Sequence, residues 1–217
     1  MRRLDRKMYA YDKLYLSRAQ GVLGSMLDFA VNDLGIPVGE FYMRFLVSPV
    51  SEAFQSGESA VIAGRSGIEL AADILEDRSL ASRYRPNANR SPEYWAGWAL
   101  AYFQWNTGLQ FARINASIPI TEILNMYNPF HEMDITQFCD HMAILFSSRN
   151  TVSNLKRRRL EIGLSQSELA KLSEVPVRTI QQYEQRQKNI NAAKAETLIR
   201  IAKYLYCSVE DLMELNP

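Results

Sequence analysis

Apolar residues recur at intervals of three and four along most of the chain, and strand-like alternation is scarce. Within residues 14–34 the apolar positions at this helical spacing are Leu16, Ala19, Leu23, Met26, Leu27 and Ala30. Gly35 and Pro37 follow and end the predicted helix, because glycine and proline interrupt helices. The pattern therefore predicts an all-α fold.

The same spacing predicts further helices in the first 148 residues. They cover residues 38–47, 50–55, 68–76, 93–107, 119–127 and 134–146, and the face of the 68–76 helix comprises Ile68, Ala71, Ala72 and Leu75. The helix at 93–107 follows Ser91 and Pro92, a good cap and a good first helical residue. It carries all three tryptophans, which predicts the central buried helix of its domain. The polar, arginine-rich residues 77–90 predict a loop.

A small polar run at residues 147–151 predicts a boundary between two domains, 1–148 and 151–217. In the second domain a helix ends at Gly163, and the capping box of Ser165 and Glu168 opens the next, at 166–173. That helix is expected to bury Leu169, Ala170 and Leu172. A tight turn at 174–176 and helices at 177–185, 192–206 and 208–212 complete a predicted five-helix domain.

This second domain resembles the lambda-repressor/Cro type (XRE-like) of helix-turn-helix DNA-binding domain. The matching positions are Leu164-Ser165-Gln166-Ser167-Glu168-Leu169-Ala170, Val175, Arg178-Thr179-Ile180, Tyr183-Glu184, Leu198 to Leu205 and Ser208-Val209-Glu210-Asp211-Leu212. The resemblance does not extend to residues 1–150. It implies that the helix at 177–185 enters the major groove of double-stranded DNA and that the chain regulates transcription.

Ile180 and Tyr183 are expected to face the core, which leaves the rest of their helix for DNA. The candidate base-reading residues are Val177, Arg178, Thr179, Gln181 and Gln182. Arginine can bond guanine, glutamine can bond adenine, and Val177 or Thr179 can meet a thymine methyl group. The resemblance places base contacts at these same positions. A module that only dimerises is the alternative, but so polar a run is unusual for a packing face.

A second group of side chains is expected to contact phosphates without reading bases. Its members are Gln166, Lys156, Arg157, Arg158, Lys188 and Asn189. Gln166 begins a helix, where its side chain and the free amides suit an anion. The resemblance implies a structural salt bridge between Arg159 and Glu184. Two residues depart from the family pattern: Arg186 stands where glycine is usual, and Pro176 replaces a Ser or Thr cap.

The charge balance agrees with a DNA-binding second domain, although the net charge of the chain is only +1. Residues 1–150 hold 14 Lys+Arg against 16 Asp+Glu, a net of −2, whereas residues 151–217 hold 11 against 8, a net of +3. Cys139 and Cys207 form no disulfide or zinc pattern. No signal-peptide run and no stretch of about 18 apolar residues occurs, so we expect a cytoplasmic protein that spans no membrane.

Three clusters in the first domain have a possible chemical role. Residues 64–67 (Gly-Arg-Ser-Gly) could cradle an anion, although an ordinary turn explains them better. The aromatic helix at 93–107 could line a pocket, but core packing is favoured. The metal-capable side chains are His131, Glu132, Asp134, Cys139 and His141, and their spacing fits no standard site. We therefore expect no metal, no cofactor and no catalytic centre.

These observations favour a repressor whose first domain, residues 1–148, binds a protein partner. By analogy, such a protein would be an antitoxin that neutralises a toxin and represses its own operon. A domain that senses a small ligand is the alternative, and an enzyme domain fused to a DNA-binding module ranks third. A homodimer is expected, because half-sites lie about 34 Å apart on one face of the DNA.

Overall fold

The computed structural model of the protein describes residues 9–86, 90–149 and 152–214. Helices form this part of the chain and it contains no β-strand, so the predicted all-α fold is confirmed. Asn87 of the predicted loop, and Asn150 and Thr151 of the predicted boundary run, lie outside the described residues. No helix in the described ranges has the length and apolarity needed to span a membrane.

The chain divides into two compact units, Met1–Phe146 and Ser147–Pro217. The α-helices that begin in the first unit are α1 (Leu16–Asp28), α2 (Val38–Val47), α3 (Pro49–Gln55), α4 (Ser59–Ile62), α5 (Gly67–Ile74), α6 (Pro92–Thr107), α7 (Phe111–Ser117), α8 (Ile120–Asn125), α9 (Tyr127–Phe130) and α10 (Ile135–Arg149). Those of the second unit are α11 (Asn154–Glu161), α12 (Gln166–Ser173), α13 (Val177–Glu184) and α14 (Ala195–Tyr204), followed by a 3-10 helix at Glu210–Leu212.

The first unit is built around the contact between α1 and α6, where glycine lets two backbones approach closely. A Cβ atom on Gly97 would lie 2.5 Å from the carbonyl oxygen of Leu23, and one on Gly24 would lie 2.9 Å from that of Tyr94. On the other side of α1, a Cβ atom on Gly67 of α5 would collide with the Val22 carbonyl. These helices therefore pack backbone against backbone, and α6 is the central buried helix that the sequence predicts.

Two predictions about the early helices need correction. Residues 14–34 do not form one α-helix: a 3-10 turn at Lys13–Tyr15 precedes α1, and a π-helix at Phe29–Asp33 follows it. Leu70 is buried on α5, whereas the predicted inward residues Ile68 and Leu75 are only partly buried. The close approach of Gly67 to α1 sets this face, and it puts Leu70 in the core beside the correctly predicted Ala71 and Ala72.

Residues 64–67 start a helix and do not form an anion cradle. The Ser66 hydroxyl caps α5, and a carboxylate oxygen of Glu69 accepts hydrogen bonds from the Ser66 amide and hydroxyl, both at 2.8 Å. The Glu69 carboxylate thus occupies the place that an anion would need. Among residues 9–86, 90–149 and 152–214, no three acidic, histidine or cysteine side chains are grouped to hold a metal ion.

The second unit encloses its own core between α11, α12, α13 and α14. The core residues include Leu155, Leu169, Val175, Ile180, Tyr183, Leu198, Ile201 and Leu212. Leu172 was expected inside but is exposed, and Ser173 is buried instead. The Ser173 hydroxyl donates to the carbonyl of Leu169 at 2.7 Å. This backbone carbonyl of α12 therefore gives the buried hydroxyl a hydrogen-bond partner within the core.

Replacing Gly97 with alanine should destabilise the first unit by about 1–3 kcal/mol, because the new methyl group meets backbone that cannot rotate away. All three tryptophans lie on α6, so their fluorescence during urea unfolding reports on this unit. Gly39→Ala is the matched control, since its Cβ would meet only a Thr121 methyl at 3.6 Å. Equal urea midpoints for the two variants would contradict the proposed close packing.

Candidate nucleic-acid interface

The sequence of α12, turn and α13 builds a helix-turn-helix from local rules. The Ser165 hydroxyl accepts from the Glu168 amide at 3.1 Å, and the Glu168 carboxylate accepts from the Ser165 amide at 2.7 Å. Hydrogen bonds from the Ser165 side chain and from its amide hold the pKa of Glu168 below its usual value. α12 ends at Ser173, and the residue after it, Glu174, has a left-handed backbone (φ 54°). Buried Val175 and then Pro176 lead into the next helix.

The second helix of the motif, α13, begins without a side-chain cap. Pro176 occupies the cap position, and only its carbonyl contributes, accepting from the amide of Thr179 at 2.8 Å. Ile180 and Tyr183 are buried against the core as predicted. The predicted base-reading residues all keep exposed surface: Val177 and Arg178 are exposed, and Thr179, Gln181 and Gln182 are half-buried.

A buried ion pair joins α11 to α13. Nε of Arg159 lies 2.6 Å from Oε1 of Glu184 and Nη2 lies 2.9 Å from Oε2, with 7% and 1% of the two side chains exposed. Nη1 of Arg159 donates to the carbonyl of Leu164 at 2.6 Å. The hydrogen bonds to Glu184 raise the pKa of Arg159. The pair that the resemblance implied is therefore present, and it is bidentate.

Gln166 extends this ion pair towards the exposed side of α13. Its Nε2 donates to Oε2 of Glu184 at 2.7 Å, and its Oε1 accepts from Nε2 of Gln181 at 3.4 Å. The side chain is thus engaged inside the unit, and a phosphate at this helix start would meet the first backbone amides, which lack intrahelical acceptors. Sequence reasoning missed the contact with Gln181, because it joins residues 15 positions apart through tertiary structure.

The other residues predicted to contact phosphates differ in their exposure and in their ion pairing. Lys156, Lys188 and Asn189 are exposed, and the Lys188 ammonium lies over the Tyr183 ring at 5.5 Å. Arg157 and Arg158 are instead bound to Glu161 at 2.8 and 3.2 Å.

Arg158 has a further acidic partner, since its Nη2 lies 3.0 Å from Asp211. Its guanidinium therefore joins α11 to the 3-10 helix at Glu210–Leu212, a contact that the sequence did not reveal. Of the basic candidates, the two lysines have the more accessible charges.

Comparison with known families identifies this unit. A family model described as "Helix-turn-helix" matches residues 155–212, which confirms the resemblance to lambda-repressor/Cro-type domains, and no curated protein or solved structure matches the chain. The chain thus carries a helix-turn-helix domain of this type and is a DNA-binding transcription regulator. Residues 1–154 lie outside the match, so the function of the first unit must be inferred from its own structure.

Replacing Arg159 with methionine should destabilise the second unit by about 3–5 kcal/mol, because the buried Glu184 carboxylate would be left without its partner. Hydrogen exchange at the amides of α12 and α13 would localise this destabilisation. The double variant Arg159→Met/Glu184→Met should recover much of the stability.

Arg157→Met is the control, since its more exposed pair with Glu161 is worth at most about 1 kcal/mol. If the Arg159→Met variant exchanged no faster than this control, the ion pair would not hold the helices together.

Proposed function

We propose that the protein is a homodimeric, sequence-specific repressor that reads operator DNA with α13 and binds a protein partner through its first unit. The observation that carries the DNA-reading role is the geometry of α13. Its inner side is fixed by Ile180, Tyr183 and the buried Glu184, and its outer side presents polar side chains. A helix fixed in this way can hold those side chains in one register along the major groove.

Each outer residue has a role that follows from its chemistry. Arg178 is exposed and can donate two hydrogen bonds to guanine, and Gln182 can bond adenine. Gln181 is oriented by Gln166, so we assign it a base contact whose direction the domain sets in advance. Val177 and Thr179 offer methyl groups for thymine. Lys156, Lys188, Asn189 and the first amides of α12 hold the phosphates on either side.

An exposed apolar surface on α2 supports a protein partner for the first unit. Met43 and Val47 lie one helical turn apart on this helix, and 83% of Val47 is exposed. Large exposed apolar patches mark interaction sites, and we propose that these two side chains form part of one. An antitoxin-like regulator, which binds the toxin encoded beside it and represses their shared operon, would combine this surface with α13.

Two buried polar atoms favour ligand sensing as the second candidate. The Tyr42 hydroxyl and Oε1 of Gln104 are buried, and neither has a hydrogen-bond partner among the described residues. An unsatisfied buried polar group costs about 1–3 kcal/mol. A small polar molecule that reached either atom would remove that atom's cost and stabilise the first unit, which is how a sensor responds to its ligand.

The assignment of base reading to α13 predicts that an arginine variant and a lysine variant affect DNA binding in different ways. Arg178→Ala should reduce the preference for a selected operator over a scrambled duplex by about tenfold, because one guanine contact is worth about 1–3 kcal/mol. Lys156→Ala should weaken binding to both duplexes equally and lower the salt slope by about one. Fluorescence anisotropy over a salt series measures the affinity of each variant for both duplexes. Equal effects of the two variants on every duplex would argue against base reading by Arg178.

The protein-partner role predicts that the product of the adjacent gene co-purifies with the wild-type chain and that Val47→Glu abolishes this complex. Tyr42→Phe should leave the complex intact, and Glu40→Gln is an exposed control on the same helix. A metabolite that raises the melting temperature of the wild type but not of Tyr42→Phe, with no partner bound, would favour ligand sensing instead.

A further inference from the structure

Glu214 links several segments of the second unit, although it lies near the end of the described chain. Its Oε1 accepts from the backbone amide of Asn154 at 2.5 Å, and its Oε2 lies 3.2 Å from Nη2 of Arg186. Its backbone carbonyl accepts from Nδ2 of Asn191 at 2.6 Å, and its amide donates to Oδ1 of the same residue at 2.8 Å. Only 15% of the Glu214 side chain is exposed.

The carboxylate of Glu214 acts as a cap for α11 supplied from a distant part of the chain. Asn154 is the first residue of α11, and its amide has no acceptor within the helix. A negative charge at this end is also favourable for the helix dipole. The side chain of Asn154 adds a second link, because its Nδ2 donates to the carbonyl of Met213.

The partner of Glu214 on the other side is the residue that departs from the family pattern. Arg186 has a left-handed backbone (φ 55°), which costs a residue with a Cβ atom about 1–2 kcal/mol. Its guanidinium contacts the Glu214 carboxylate and approaches the carbonyl of Val152 at 3.5 Å. An arginine here can therefore offset its backbone cost by tying the loop after α13 to the start of α11, which glycine could not do.

The segments joined by Glu214 are those that carry the exposed phosphate-binding candidates. Lys156 lies two residues beyond Asn154, and Lys188 and Asn189 lie between Arg186 and Asn191. We propose that Glu214 is a positioning residue for DNA binding: it fixes the start of α11 relative to the loop at 186–191, so that both segments meet the phosphate backbone together. This inference rests on the proposed DNA-reading function.

The test uses the full-length chain and a random-sequence 30-base-pair duplex, because phosphate binding does not depend on sequence. Glu214→Ala should weaken binding at low salt, and it should lower the salt slope by about one to two, that is by about one for each phosphate that the variant no longer neutralises. Removal of a negative charge alone would instead tighten binding. Glu210→Ala removes an equal charge from an exposed position nearby, and it should leave the slope unchanged.

Asn191→Ala is the second variant, because it cuts both backbone links to Glu214 without changing charge. It should lower the slope in the same direction, and hydrogen exchange would verify that each variant remains folded. A slope equal to wild type in folded Glu214→Ala or Asn191→Ala would overturn the positioning role while leaving DNA binding intact. If the wild-type chain did not bind the duplex at all, the proposed DNA-reading function would fail, and this inference with it.

Discussion

Arg159 and Glu184 carry opposite charges that the fold has removed from water, and the arrangement of the second unit depends on their meeting. Burying each charge costs several kcal/mol, which only good geometry and further hydrogen bonds offset. Both conditions hold here: the pair is bidentate, Arg159 also bonds the Leu164 carbonyl, and Gln166 bonds the carboxylate. One interaction thus connects α11, the start of α12 and the end of α13.

The ion pair also explains how α13 can function with a weak start. Pro176 provides no side-chain oxygen to cap the helix, so its first turn has less local support than that of α12. The last turn is held instead, by Glu184 inside the unit and by Tyr183 in the core. Fixing one end of an eight-residue helix and burying Ile180 sets its rotation, and this rotation determines which residues face outward.

Local signals allowed the sequence to predict much of this structure. α2 and α12 have the predicted bounds, since proline, serine and capping residues mark their ends. The helices α4 and α9 were not predicted because four residues are too few to show a periodicity, and α7 was also not predicted. The exposure of Leu172 and the contacts of Gln166 with Gln181 and of Arg158 with Asp211 depend on tertiary packing that no local pattern encodes.

On α13, the residues that fix the helix in the core and the residues that face outward are largely different. Folding stability and the proposed preference for DNA sequence therefore depend largely on different side chains. Val177 and Arg178 are exposed and lie outside the core, so substitutions there change the surface offered to DNA at little cost to folding. Gln181 is the exception, because its amide reaches Gln166 and through it the buried carboxylate of Glu184. A change at Gln181 would therefore alter the base contact that we propose for it together with the network that orients α13, which restricts the side chains that this position can accept.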